Sequence, residues 1–398
     1  MGVADSGGIG GGQAAPDLLV AGAGVAGLWL TVKAARAGLK VMLVEAGNPG
    51  SGASGGFLGA LMPHGPERWN DKKQFQLQAL IDLEDEVARL ESETGLQCLY
   101  RRSGRILPLS SERARTEALS RAADAQANWG PRFAWEVRHA ADIGGWPDML
   151  RAPHGVVHET LSARVSPPGL LGALLASLGA MANVELRLGV AVTGVLPEGK
   201  AARLSDGSTV GCGHVALANG VDAFPLIAQA AGLSGSPLGS GVKGQAALLD
   251  AGAAPELPLV FDDGVYVIVH ENGAVAIGST SERDYDDPVA TDTQLDDLVA
   301  RARALCPLIR EAPVLRRWAG VRPRGVGPDP MLGPVPGAPN VLAMAGGFKT
   351  SFGIAHRMAD CVVAAVTGTA GPDLPESFTV AHHIAKAARG GKTLKARD

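Results

Sequence analysis

Three glycine clusters and one acidic side chain carry the clearest chemistry in this 398-residue chain. The first cluster is Gly22-Ala23-Gly24-Val25-Ala26-Gly27, and the acid is Glu45. The spacing suits a dinucleotide: Gly22 makes a tight turn, Gly24 lets a pyrophosphate approach the backbone, and Gly27 lets a helix pack against a strand. Val25 and Ala26 open that helix, whose free N–H groups and partial positive charge face phosphate. Glu45 follows at close to the usual interval of about 20 residues, where a carboxylate accepts from ribose hydroxyls. The second cluster, Gly52-Ala53-Ser54-Gly55-Gly56, has the G-x-S-x-G pattern of a hydrolase nucleophile elbow. That elbow needs its serine on the turn leaving a strand, whereas Glu45–Ser51 with Pro49 intervenes here. A segment of small residues on which a ring system and phosphate can lie is the better reading. The third cluster, Gly346-Gly347, precedes Phe348, Lys349, Thr350 and a long helix. Its backbone N–H groups and the helix dipole would stabilise negative charge developing on a bound ring, with Thr350 or Ser351 as the cap.

The elements that must position these groups are legible. Asp17–Ala21 reads as a buried strand, Val25–Ala37 as a helix closed by Gly38, and Lys40–Val44 as a second strand. Gln74–Thr94 is an amphipathic helix with Leu80, Leu83, Val87 and Leu90 on one stripe, and Pro167-Pro168 opens another. Short strands are expected at Leu99–Tyr100 and Arg105–Pro108, then over Val184–Val195 and His214–Ala218. Val265–His270 and Ala274–Gly278 form a hairpin turned at Asn272-Gly273. Val341–Ala345 is a strand running into the third glycine cluster and a helix over Thr350–Thr367. Nucleotide-binding elements thus stand at both ends of the chain, with antiparallel strands between them.

Composition narrows the function classes. The net charge of −4 offers no footprint for nucleic acid or an anionic membrane surface, and no stretch reads as a membrane span. A hydrophobic content of 46% supplies core material for two domains. Cys98, Cys212, Cys306 and Cys361 are scattered, as expected of reduced thiols in a cytoplasmic protein, and no metal site is expected. His154 and His158 lack the glutamate of a zincin, and Arg101, Arg102 and Arg105 read as a solvated charge cluster beside a turn. Met1–Pro16 is read as a flexible tail and His382–Asp398 as a solvated polar one.

The glycine fingerprint with Glu45, followed by Gly52-Ala53-Ser54-Gly55, resembles the D-amino-acid oxidase, glycine oxidase and sarcosine oxidase family of FAD proteins. Four later segments agree in order: Val242-Lys243-Gly244-Gln245, Tyr266–Val269 with Ala276-Ile277-Gly278, Gly320-Val321-Arg322-Pro323 leading to Asp329–Gly333, and Gly346–Gly353. The resemblance spans Asp17–Pro372. It implies an α/β fold: a Rossmann-like FAD-binding domain, discontinuous over 17–85, 150–220 and 315–375, and an α+β substrate domain over 86–149 and 221–314 built on a mostly antiparallel sheet. The remainder, 376–398, is the polar tail. Gly22, Gly24, Val25, Ala26, Gly27, Glu45, Ala53, Ser54, Gly55 and Gly346–Thr350 are the implied cofactor residues.

The resemblance also places a carboxylate-binding arginine at Arg322, where a guanidinium fork matches a carboxylate. A structural salt bridge is the other reading, and Arg324 is a competitor. Tyr266 would add a hydroxyl to the same carboxylate or sit in the core with that hydroxyl satisfied. Lys349 would hold the carboxylate, pair with the flavin, or lie on the surface. No cysteine falls in the Arg322 segment, so non-covalent FAD is implied, with His64 a loop residue. The implied activity is oxidation of the C–N bond of an amino acid or N-substituted amino acid by hydride transfer to flavin N5. It gives an imine that hydrolyses, with oxygen or another acceptor taking the electrons. Alternatives are an oxidoreductase trimming a wobble-uridine side chain in tRNA, an NAD-dependent dehydrogenase, and a flavin-carrying subunit of a hetero-oligomer.

Overall fold

The computed structural model describes residues 15–234 and 238–395, with side chains as far as 389. The tail expected over Met1–Pro16 lies outside them apart from its last two residues, of which Pro16 accepts from the Gly213 N–H.

Two sheets organise the chain. The first has six strands, in the order Met331–Val335, Ala338–Ala345, His214–Leu217, Leu18–Ala21, Val41–Glu45, Val184–Leu188. All neighbours pair in parallel except the antiparallel edge formed by Met331–Val335. Leu18, Leu19 and Val20 are fully buried, because helices cover one face of this strand and the helix Ala223–Ala230 with the strands Val192–Val195 and Ala201–Leu204 packs in the core on the other, leaving no polar side to alternate with. The helices Val25–Arg36, Asp71–Thr94, Pro167–Gly179 and Ser351–Thr367 pack in one continuous core on one face.

The second sheet has eight strands, in the order Val314–Gly325, Gly239–Asp250, Ala274–Gly278, Val265–Val269, Leu259–Asp262, Arg105–Pro108, Val156–Glu159, Trp135–Arg138. Every pairing is antiparallel except Leu259–Asp262 with Arg105–Pro108. The Asn272-Gly273 hairpin forms in the register its alternation requires. Val265, Val267 and Val269 enter a core with the helix Thr293–Leu305, while Tyr266 and Ile268 face the opposite side.

The structure moves several expectations. Val314–Gly325 lies in the eight-stranded sheet rather than with the cofactor-binding segment 315–375, and so does Val156–Glu159 from the segment 150–220. Both are strands flanked by turns, and partner choice is a long-range property that a local pattern does not encode. Val184–Val195 divides into Val184–Leu188 and Val192–Val195, which belong to different sheets. Leu99–Tyr100 is no strand, since Leu99 has φ 54°.

The polar tail is also corrected. Val380–Lys395 is a helix, with Val380 and His383 buried and Ile384 and Ala387 packed against the parallel sheet's core. Those four positions fall at helical spacing, which the excess of basic residues masked. The Arg101–Arg105 cluster is not a solvated face either. Arg101 pairs with Glu271, Arg102 with Glu84, and the buried Arg105 with the fully buried Glu159 at 3.0 Å.

Candidate active site

A single cavity of about 980 Å³ reaches both sheets, and its lining runs from Gly22, Gly24 and Glu45 to Tyr266, Arg322 and Lys349. At the first end the fingerprint turn closes as its spacing requires. A Cβ on Gly22 would lie 2.6 Å from Asn219 Cα, and one on Gly27 would fall on the Gly22 carbonyl oxygen. Gly27 therefore packs inside the turn and is not part of the cavity wall, whereas Val25 and Ala26 are. Gly24 is the N-cap of the first helix and has no side chain to cap it. Ser54 supplies the missing acceptor from 29 residues away: its Oγ accepts from the Val25 N–H at 3.0 Å. This gives the G-x-S-x-G segment a structural reason that does not involve a nucleophile. Ala53 and Ser54 line the cavity; Gly55 stands behind them, where a Cβ would meet the Gly50 carbonyl oxygen at 2.8 Å. Glu45 accepts from Ala23 N at 2.6 Å and from Gly47 N at 2.9 Å, which fixes its carboxylate at the cavity edge with lone pairs to spare.

At the other end, Val314–Gly325 presents Arg322 opposite Val242 of Gly239–Asp250. Its side chain crosses Gly244, where a Cβ would lie 2.5 Å from the Arg322 Cζ. The guanidinium donates from Nη1 to Ser279 Oγ at 2.8 Å and from Nη2 to Thr280 O at 2.7 Å and Lys243 O at 3.2 Å. All three acceptors are neutral. No carboxylate among the described residues pairs with Arg322, and its Nε–H is enclosed without a partner. Burial pulls this guanidinium below its ordinary value, and Tyr266 and Glu282 act in the opposite sense.

Phe348 sits at φ 45°, a sparsely populated backbone conformation for a non-glycine residue. Its ring lies between Arg322, with Cζ at 5.3 Å, Arg324 at 5.7 Å and the Lys349 Nζ at 5.8 Å. Lys349 also stands 5.7 Å from the Tyr266 ring and is pushed down to about 8, first by burial and then by Arg322. Burial raises the Tyr266 hydroxyl, against the pull of Arg322 and Arg105. Gly346, Gly347 and Thr350 complete this wall. Thr350 occupies the N-cap of Ser351–Thr367, but its hydroxyl donates to Gly347 O at 2.9 Å and caps nothing. The first-turn N–H groups of that helix thus remain without side-chain acceptors. Arg324 lies outside the lining, while His64 reaches it and donates its N–H to Gln76 Oε1 at 2.7 Å.

A family profile described as FAD dependent oxidoreductase, abbreviated DAO, matches residues 17–361. The chain belongs to the DAO family of FAD-dependent oxidoreductases. Among its relatives is a glycine oxidase of Pseudomonas aeruginosa, 32% identical over 350 residues that cover 85% of this chain and 91% of that protein. A glycine oxidase of Pseudomonas putida is 29% identical, covering 88% and 94%. In fold, the chain is similar to the crystal structure of glycine oxidase from Geobacillus kaustophilus, with a TM-score of 0.81 and 23% identity over 92% of this chain and 98% of that one.

FAD is the cofactor of this DAO-family chain, and the cavity suits it. The Gly22–Gly27 turn leaves a helix N-terminus open to phosphate, Glu45 is poised for hydroxyls, and the Gly346–Thr350 wall turns a second helix N-terminus inward. Four lining groups have no clear signal in the sequence. Arg105 looks like a surface charge until its strand is placed, and Ser279, Trp318 and Asn219 reach the cavity only through the folding of distant strands. No helix among the described residues is long and apolar enough to cross a membrane.

Proposed function

We propose that this protein oxidises the C–N bond of an amino acid or N-substituted amino acid whose carboxylate is held by Arg322. The observation that carries the reading is a buried guanidinium with neutral partners only, an unspent Nε–H, and a place on the cavity wall. A structural arginine in that position would face a carboxylate of the protein. Lys349, protonated below about pH 8, adds a second cation on the cavity wall, and Tyr266, whose ring stands 5.7 Å from the Lys349 Nζ, adds a hydroxyl to the same wall.

These groups fix the substrate by one end and so present its amine-bearing carbon in one orientation. Gly22, Gly24, Val25, Ala26, Ala53 and Ser54 would hold the cofactor's phosphates, Glu45 its ribose, and Gly346–Thr350 its ring. Bound FAD supplies the acceptor for the hydrogen and two electrons that leave the substrate carbon. The chain's own part is orientation, a positive field around the carboxylate, and walls such as Phe57, Trp318 and Phe348 that keep bulk water away. The amine gives up its proton, and the imine so formed takes up water and releases ammonia, or an amine from an N-substituted substrate, leaving a keto acid or an aldehyde. FAD is held without a covalent bond in this reading, since none of the four cysteines lines the cavity and burial raises each thiol.

Arg322→Ala tests the reading. The variant is expected to keep its yellow flavin and lose at least about 10²-fold in kcat/KM, the scale of a lost orienting clamp. The substrate comes from anaerobic bleaching against D-, L- and N-methyl amino acids, followed by admission of air. An unchanged kcat/KM refutes the assignment.

A further inference from the structure

Behind the Arg322 wall lies a group of charged and polar side chains that the proposed reaction does not use. Lys243, Gln245 and Glu282 are buried, and Asp292 is half-exposed beside them. Gln245 Nε2 donates to Glu282 Oε1 at 3.0 Å and to Asp292 Oδ1 at 2.9 Å, and Thr280 Oγ1 donates to Glu282 Oε1. The Lys243 ammonium stands 3.6 Å from Glu282 Oε2 and 3.7 Å from Asp292 Oδ2. The same residues touch Arg322. Lys243 O accepts from both Glu282 N and Arg322 Nη2, and Thr280 O accepts from Arg322 Nη2. Glu282 is therefore a buried carboxylate that acts electrostatically on Arg322 across the strand Gly239–Asp250, its backbone sharing the Lys243 carbonyl oxygen with the guanidinium.

Two buried cations stand near that carboxylate, and only one can be neutralised by it. Lys243 is the one at ion-pair distance. Resting on the carboxylate-clamp reading, we propose that Lys243 is a positioning residue that occupies Glu282 and so leaves the charge of Arg322 free for the substrate carboxylate. Without Lys243, the buried Glu282 carboxylate loses its ion-pair partner, and its uncompensated field lowers the positive potential that Arg322 presents to a substrate carboxylate. Carboxylate affinity then falls while the remaining machinery stays in place.

The test uses FAD-loaded holoenzyme, with acetate as the carboxylate probe followed by perturbation of the flavin absorbance, and steady-state kinetics on the substrate from the amino-acid panel. Lys243→Met is expected to raise the acetate Kd and the KM about ten-fold, with kcat per bound flavin changing about three-fold or less. Lys243→Met/Glu282→Gln removes both charges and is expected to restore the Kd to within about three-fold of wild type. Glu282→Gln alone keeps the hydrogen-bonding shape and is expected to bind acetate at least as tightly as wild type.

Loss of stability alone would lower the yield of holoenzyme without moving its KM. Unchanged acetate affinity in Lys243→Met, no recovery in the double variant, or weakened binding in Glu282→Gln each overturns the inference. If Lys243→Met yields no holoenzyme, the double variant and Glu282→Gln decide it on the same criteria. Arg322→Ala, run alongside, separates the two claims. If it still binds acetate, or if wild type binds none, the carboxylate reading falls; if it alone loses binding, only the role of Lys243 falls.

Discussion

Gly244→Ala offers a way to move Arg322 without touching it. Gly244 and Arg322 lie on neighbouring antiparallel strands, Val242 being opposite Arg322, so the arginine side chain runs diagonally across the glycine. An added Cβ would stand 2.5 Å from Cζ and Nη2 and 2.8 Å from Nη1. Ordinary contact begins near 3.4 Å, so the guanidinium must retreat by about 1 Å. The bonds to Ser279 Oγ and Thr280 O, now 2.8 and 2.7 Å, would stretch beyond useful length.

The atoms displaced are the end of a flexible side chain next to a cavity, so stability should change by no more than about 1–2 kcal/mol. Water can meet the released N–H groups, and alanine restricts the unfolded chain more than glycine does. A displacement of about 1 Å at an orienting group costs about 10²-fold in rate. The expected variant is folded and yellow, with a near-native thermal midpoint and kcat/KM down by about 10²-fold. Combined with Arg322→Ala, it should cost almost nothing further, because both changes act through one group. A kcat/KM within about three-fold of wild type, or full additivity with Arg322→Ala, would refute the argument that Gly244 exists to admit the guanidinium.

Lys349 carries a pH prediction. Its ammonium is pushed down to about 8, so it is charged below that pH and neutral above it. Carboxylate affinity should weaken as the pH rises through about 8, read as a rising KM, and Lys349→Met should remove that limb of the profile. A KM profile identical in the variant would show that Lys349 does not meet the carboxylate. At the opposite end of the cavity, Glu45→Ala removes the acceptor of the Ala23 and Gly47 N–H groups and the candidate ribose contact. Its FAD Kd should rise by about 10-fold or more, the scale of two lost charge-assisted hydrogen bonds, with kcat at saturating FAD little changed. An unchanged FAD Kd by flavin fluorescence would remove Glu45 from the cofactor site.

How far the sequence alone carries depends on whether the physics is local. Gly22–Gly27 dictates its own turn, because tight backbone approaches admit only glycine, and the apolar run before it and the acid after it complete the unit within 29 residues, 17 to 45. The Asn272-Gly273 hairpin is equally local, and its alternation settled that Tyr266 and Ile268 share a face. Arg322, Tyr266 and Lys349 were nameable as residues, but nothing in their neighbourhoods states that they meet; that came from strands pairing across the chain, Gly239–Asp250 with Val314–Gly325 above all.

The misreadings have the same cause. Arg105 and His383 look solvated because charge and polarity suggest exposure, yet a partner far along the chain, Glu159 or the Pro330 carbonyl, makes each burial tolerable. Ser54, read as part of a segment of small residues facing a cofactor, also accepts from the N–H of Val25, 29 residues before it, a contact that no local pattern announces. Turns and faces follow from steric limits and side-chain period within a few residues. Which buried charge is paired with a carboxylate, and which is left with neutral partners, follows only from long-range packing, and in this protein that distinction separates Lys243 from Arg322.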